Sequence, residues 1–343
     1  MLTKRKSIIL AGPDHFDILD EMKKHLTALG FQVYVFFPNA KERFQYENIN
    51  QRIHNFIRKT FFRDKKFKKN LMIEQHKKML LTTLNKIENV DYALFIRPDL
   101  FFPSFIQLAK TKCKMIVGYQ WDGLDRYPEV YQYIQLMNRF FVFDETDLSV
   151  NNTFPTTNFY FEDTRSLNEI KRGGQSVFYV GSYVKNRVDT ISDINAKLND
   201  LHIHRDIRVI SYDQDAIRHV ITKGLTPRSE IITYKENLNS VINASILLDI
   251  QNDIHKGLSF RIFEGIGYEK KVITTNPDII RYDFYHPNNF LVWNGQSTQE
   301  LASFIKLPYH VLEDNIKRKY SFTNWIAYML DMPIDYIPIS LPR

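Results

Sequence analysis

Cysteine is all but missing: Cys113 is the only one in 343 residues. That excludes an internal disulfide framework and any zinc site built from several thiolates. Glycine is sparse too, 12 residues beside 13 prolines, which excludes collagen-like and Gly/Pro-rich low-complexity chains. Apolar runs break off early, whereas a membrane-spanning helix needs about 20 apolar residues in succession. No internal repeat at solenoid periods is found. Walker loops, G-x-S-x-G and H-E-x-x-H are absent from the sequence, so the usual marks of P-loop ATPases, serine hydrolases and zinc proteases are missing.

What remains is a globular composition, 44% hydrophobic and 25% charged, long enough for roughly two domains at about 150 residues each. Lysine and arginine exceed aspartate and glutamate by 46 to 39, a net charge of +7. Such an excess favours anionic partners: nucleotides, phosphosugars or anionic lipid. The start, MLTKRKSIILAGPD, reads as a strand and turn with no signal-peptide pattern, and with the lone cysteine it leads us to expect a cytoplasmic protein.

Residues 7–12 (SIILAG) read as a strand. Residues 17–29 carry apolar positions 18, 19, 22, 26 and 29 at helical spacing; Gly30 ends that helix, and FQVYVFFP starts a second strand. Strand, helix, strand is the opening of a doubly wound parallel sheet. The rhythm recurs at 91–99, 104–112, 114–122, 129–137 and 139–145. A second series starts after the polar stretch 166–175, with SVFYVGSY, TISDINAKLNDL, IRVISY, SVINASILLDI, RIFEGIGYE and KVITTN. The expected architecture is α/β: two Rossmann-like lobes, 1–165 and 176–310, with a cleft between their strand ends. Residues 311–343 are expected to be helical, over about Leu312–Leu330, and to pack back on the first lobe.

Residues 52–78 break the rhythm. They hold ten Lys or Arg against Asp64 and Glu74, interleaved with Phe56, Phe61, Phe62 and Phe67. Two readings are open: a solvated helical face whose aromatics enter the core, or a surface for anionic membrane. No nucleic-acid motif accompanies the stretch, and a nucleic-acid partner is not expected.

The chemistry concentrates in 255–276, HKGLSFRIFEGIGYEKKVITTN. Gly257 can let the backbone approach a ligand closely, and a helix over about 260–268 follows the turn Lys256, Gly257, Leu258, Ser259. A helix start offers N–H groups and a positive dipole end to phosphate without a metal. Arg261 in its first turn can pair with phosphate oxygens, and Glu264 lies three residues on, suited to accepting from ribose hydroxyls.

This stretch resembles the donor-binding motif of GT-B fold glycosyltransferases: Gly257, then a helix bearing Glu264, a turn with Gly267, and the strand KKVIT. Lys256 stands where retaining members carry the first of two glutamates eight positions apart, which leaves the stereochemistry open. With YQWDG and FEGIGYEKKVITTNPDIIRYDFYHPNN, the sequence is most similar to bacterial transferases of the lipopolysaccharide and capsule type. The resemblance implies a nucleotide-sugar donor, a glycan or glycolipid acceptor, work at the inner face of the membrane, and no cofactor or metal. It further implies that Gly181, Lys185 and Arg187 in YVGSYVKNR approach the diphosphate, and that Tyr234 and Lys235 lie near the base.

In the first lobe Asp14, Asp99 and Asp122 each end an apolar strand, where ligands of open parallel sheets gather. A general base is needed for inverting transfer; Asp122 is the first candidate, and Asp14 with His15 the second. Three alternatives weigh against this scheme. Asp213-Gln214-Asp215 after a strand resembles the metal-holding D-x-D of GT-A enzymes. A sugar-nucleotide epimerase of related fold, or a noncatalytic nucleotide-sugar or lipid-surface binding protein, would share the architecture without the transfer.

Overall fold

The computed structural model describes residues 5–14, 16–39, 44–46, 48–63, 66–162, 175–230, 232–251 and 257–342. The first lobe contains β1 (Ser7–Ala11), α1 (Ile18–Ala28), β2 (Gln32–Phe36), α2 (Ile49–Phe61), α3 (Lys66–Lys86), β3 (Val90–Ile96), α4 (Pro103–Lys112), β4 (Cys113–Gln120), α5 (Tyr131–Ile134), β5 (Arg139–Val142) and β6 (Thr153–Pro155). The second contains β7 (Ser176–Ser182), α6 (Lys185–Asp200), β8 (His204–Ile210), α7 (Gln214–Thr222), β9 (Thr226–Arg228), α8 (Tyr234–Asn243), β10 (Ile246–Asp249), α9 (Phe260–Gly267), β11 (Lys271–Thr274), β12 (Phe290–Val292) and α10 (Thr298–Lys306). Helices α11 (Asp314–Lys319) and α12 (Phe322–Met329) follow.

Each lobe is one parallel six-stranded sheet. The first has the order β2-β1-β3-β4-β5-β6 and the second β12-β11-β10-β7-β8-β9. The winding direction reverses between β1 and β3 in the first and between β7 and β10 in the second. At such a reversal the flanking loops leave in opposite directions and open a crevice at the strands' carboxyl ends. The inner strands are apolar along nearly their whole length: β10 and β11 are buried at every residue, as helices on both faces of a sheet require. Helix α1 shows the matching helical pattern, burying Ile18, Leu19, Met22 and Leu26. Leu29, expected on that face, is exposed; it is the C-cap, where the chain turns through Gly30 at φ 91°.

Three apolar clusters organise the packing. One fills the outer side of the first lobe, from Ile9 to Val142, and one that of the second, from Val177 to Ile305. The third is shared, joining Leu10, Tyr119 and Phe143 of the first lobe to Phe178, Ile262 and Phe290 of the second and to Trp325 of α12. The lobes therefore dock through a common core.

The helix expected over Leu312–Leu330 is interrupted. Phe322 N–H donates to the Tyr160 carbonyl and Tyr160 N–H to that of Tyr320, while Ser321 Oγ accepts from Asn324 N–H to start α12. Tertiary bonds to the residue 160 segment thus take the backbone groups that a continuous helix would use. Helix α12 lies on the first lobe: the Trp325 indole donates to the Thr157 carbonyl at 3.0 Å, and Arg139 Nη1 to the Tyr328 carbonyl at 2.6 Å. Most of the polar stretch 166–175 lies outside the described residues.

Candidate functional site

The ladder between β7 and β10 is short, pairing only Ile246 with Val177 and Leu247 with Phe178. Beyond that the two strands part, and Arg261 from the first turn of α9 fills the gap. Its Nη2 donates to the Val180 carbonyl, its Nη1 lies 3.9 Å from Asp249 Oδ1, and the guanidinium sits over the Tyr179 ring at 5.0 Å. Asp249, at the end of β10 and almost fully buried, also accepts from Ser259 Oγ at 2.7 Å and Thr274 Oγ1 at 2.8 Å. That pairing orients Arg261 and explains a detail of α9. Ser259 is its N-cap residue but gives it no side-chain cap, because the hydroxyl is engaged by Asp249.

Helix α6 starts on the other side of the crevice, and its N-cap residue, Val184, has no capping side chain. Arg187, in its first turn, donates through Nε to the Gln251 carbonyl at 3.1 Å, and its charge, with that of Arg261, opposes the upward pull of burial on the Tyr179 phenol. Lys185 is exposed at the same end. Two helix starts without side-chain caps and two guanidiniums therefore converge on Tyr179, a site suited to an anion. Gly181 belongs to this cluster for a steric reason: a Cβ there would stand 2.5 Å from the Tyr179 hydroxyl.

Four other donor-side candidates, Gly257, Leu258, Glu264 and Tyr234, are buried. Gly257 is packed against the first lobe, where its Cβ would fall 1.9 Å from Phe143 Cδ2. Leu258 is buried, and its carbonyl accepts from Asn158 Nδ2 at 2.9 Å; Asn158 Oδ1 in turn accepts from the Tyr119 hydroxyl at 2.9 Å. Glu264 is 2% exposed, and its Oε1 accepts from the Tyr234 hydroxyl at 3.1 Å. Both groups of that pair are buried in this conformation, and Tyr234 also borders a cavity of about 730 Å³ shared with Lys24 and Lys235. Burial pushes the Glu264 carboxyl up to about 7, against the opposing pull of Arg261 and the Tyr234 hydrogen bond. Burial likewise raises the Tyr234 phenol well above its ordinary value. Lys256 lies outside the described residues.

In the first lobe Asp122 is held from both sides. Its Oδ2 accepts from Arg97 Nη1 at 2.8 Å and its Oδ1 from Arg126 Nη1 at 2.5 Å. Arg97 also forms a two-pronged pair with Asp99 at 2.8 and 2.6 Å and stacks on Tyr127 at 3.7 Å. The backbone at Arg97 is left-handed, φ 56°, which costs a non-glycine residue about 1–3 kcal/mol and is sustained by these bonds. Both Asp122 oxygens are thus engaged by cations, which opposes the general-base role expected of it. Asp14 is exposed beyond β1, at the first lobe's own reversal point; His15 lies outside the described residues.

A second stretch of left-handed backbone follows, Phe16 at φ 54° and Asp17 at φ 59°, anchored across the lobes by Tyr234 N–H donating to the Phe16 carbonyl at 2.7 Å. Phe16 thereby faces a cavity of about 500 Å³, lined also by Ser182, Tyr183, Tyr212 and Asp213. The D-x-D motif meets a structural demand here. Asp213 Oδ1 caps α7 by accepting from Ala216 N–H at 2.9 Å, and Asp215 pairs with Arg218 on the surface. Among the described residues, no group of three or more His, Cys, Asp or Glu is arranged to hold a metal.

Sequence reasoning missed Asp249, Tyr179 and Arg97. A signal existed for Asp249, an acidic residue ending the apolar strand ILLD as Asp14 and Asp122 end theirs. For Arg97 the cue was R-P-D after an apolar strand. Nothing in the sequence marked Tyr179, whose role depends on two arginines from other elements.

No protein-family model matches the chain, and no curated protein matches it in sequence. Solved structures do show likeness. One is the apo form of the lipopolysaccharide outer core galactosyltransferase WaaB, at 12% identity and TM-score 0.48, covering 92% of this chain and 96% of that one. Another is S. aureus MnaA with UDP, at 11% identity and TM-score 0.47, covering 98% and 100%. A third is a UDP-N-acetylglucosamine 2-epimerase, at 11% identity and TM-score 0.48, with the same coverage. Likenesses this distant carry neither substrate nor reaction to this chain. Its class follows from its own topology: two doubly wound parallel sheets, docked through a common core, with a terminal helix returning to the first lobe. That is the GT-B arrangement of two Rossmann-like lobes.

Proposed function

We propose that this protein is a metal-independent glycosyltransferase that moves a sugar from a nucleotide-diphosphate donor to a glycan or glycolipid acceptor. The observation that carries the reading is the convergence of Arg187, Arg261 and two helix starts without side-chain caps at the β7–β10 crevice. As the bond between the sugar's anomeric carbon and the diphosphate breaks, negative charge grows on the phosphate oxygens. Fixed guanidiniums and helix N-termini stabilise that charge more than the ground state. Arg261 suits the role because Asp249 and the Val180 carbonyl hold it in place beforehand. The acceptor hydroxyl must lose a proton. We assign that to Asp14, which lies exposed beyond β1 at the first lobe's own reversal point, where ligands of open parallel sheets gather.

Thermal unfolding with a panel of UDP-, GDP-, CMP- and ADP-sugars tests the proposal. A ligand at a hundred times its Kd adds about 2.7 kcal/mol, and the gain is expected for one base and to vanish in Arg261→Ala and weaken in Lys185→Ala. If no donor stabilises the parent chain, the proposal fails. A stabilising donor that is isomerised without any acceptor would instead identify an epimerase.

A further inference from the structure

Helix α2 is amphipathic and faces the wrong way for a globular protein. Its apolar residues Ile49, Ile53, Phe56, Ile57 and Phe61 recur at intervals of three and four, which places them on one stripe. A surface helix ordinarily turns such a stripe to the core, yet these five side chains are between 40% and 74% exposed, and no residue of α2 is buried. The polar face makes the contacts. The His54 ring stacks on Phe67 of α3 at 4.7 Å, Arg58 lies 5.2 Å from the same ring, and Gln51 and Asn55 are half-buried. Local propensity does not impose this orientation, since Asn48 caps the helix whichever face is inward.

The surroundings of the stripe say what chemistry covers it. Phe62, the C-cap of α2, is 74% exposed, and Met72 and Ile73 are exposed on α3. Around these lie Arg52, Lys59 and Arg63, while the first turn of α3 carries Lys66, Lys68 and Lys69 and no acid. Lysines at the positive end of a helix dipole oppose it; an anionic surface laid against them reverses that penalty. Helix α3 buries only Leu80 and Leu84, near its C-terminal end; the lysines of its first turn are exposed next to α2, with Lys68 over the Phe44 ring at 5.6 Å. An apolar stripe bordered by basic residues suits a helix lying at the boundary between headgroups and acyl chains. We propose that the α2–α3 hairpin docks on an anionic lipid bilayer, with the stripe inserted and the flanking lysines and arginines against the headgroups. The inference stands apart from the donor site, since it rests on neither lobe's crevice.

The test is sedimentation of the full chain with vesicles of phosphatidylcholine, alone or mixed with phosphatidylglycerol. The parent chain is expected to bind the mixed vesicles, to bind them more weakly as salt is added, and to stay in solution with phosphatidylcholine alone. The variant Phe56→Ser/Phe61→Ser/Phe62→Ser is expected to lose binding while keeping its circular dichroism and melting temperature, because all three rings are already in solvent. Reversing Lys66, Lys68 and Lys69 to Glu is expected to weaken binding by at least about a hundredfold, from the contribution of each basic residue near an anionic leaflet. Three results would overturn the proposal: no binding to the mixed vesicles, equal binding to both vesicle types, or undiminished binding by the triple Ser variant. A dimer in the ultracentrifuge, dissolved by the same substitutions and without affinity for vesicles, would also overturn it, assigning the stripe to a second copy of the chain.

Discussion

Above about pH 8, Glu264→Gln is expected to be more stable than the parent chain, and near pH 5 the two should be nearly equal. In the folded state burial pushes the carboxyl from an ordinary 4.5 to about 7. Between those values the folded chain holds a proton that the unfolded chain has released, so stability falls as pH rises through the window. At about 1.4 kcal/mol for each tenfold change in proton affinity, the loss amounts to about 3 kcal/mol once the group is ionised. Glutamine keeps the shape and can still accept from the Tyr234 hydroxyl, but carries no charge to desolvate. The assay is urea unfolding of both proteins at several pH values. Parallel pH profiles for the two would refute the reasoning, because the slope would then belong to other groups. The consequence reaches function: a donor whose ribose bonds to the Glu264 carboxyl should bind with a pH dependence that the Gln variant lacks.

Gly257→Ala places a methyl 1.9 Å from the Phe143 ring and is expected to cost about 1–3 kcal/mol by overpacking the lobe junction, read as a lower melting temperature; an unchanged melt would mean that the junction yields freely. Asp122→Ala removes charge-assisted bonds to Arg97 and Arg126 and should cost about 2 kcal/mol in urea unfolding. If the protein keeps its stability but loses turnover, the carboxylate acts on substrate and the ion-pair reading is wrong. Trp325→Ala empties a fully buried site between α12 and the first lobe and should cost about 3–5 kcal/mol, measured the same way.

Much of the fold was legible because its signals are local. The apolar runs of β1, β3, β4, β7, β10 and β11 and the helical spacing of α1, α6 and α9 can be read in single windows of the sequence. Helix α9 was expected at about 260–268 and forms at Phe260–Gly267. The strands missed, β6, β9 and β12, are three-residue edge strands, too short to show a period. For the site, residue types at strand ends pointed to the right loops but not to the partners. Asp122 and Asp14 carry the same signal, yet one is half-buried against two arginines and the other lies on the surface.

The sequence by itself determined the alternation of strands and helices, the division into two α/β units, and the chemistry available at each strand end, since these depend on spacing within about twenty residues. Tertiary structure alone decided which groups meet. Arg261 reaches the Val180 carbonyl because β7 and β10 diverge after two paired residues, Glu264 is silenced by a tyrosine thirty positions away, and α2 turns its apolar face outward because its polar face found Phe67. Charge and hydrogen-bonding capacity belong to a residue, but whether they face a ligand, a lipid or a neighbour depends on what the rest of the chain packs against it.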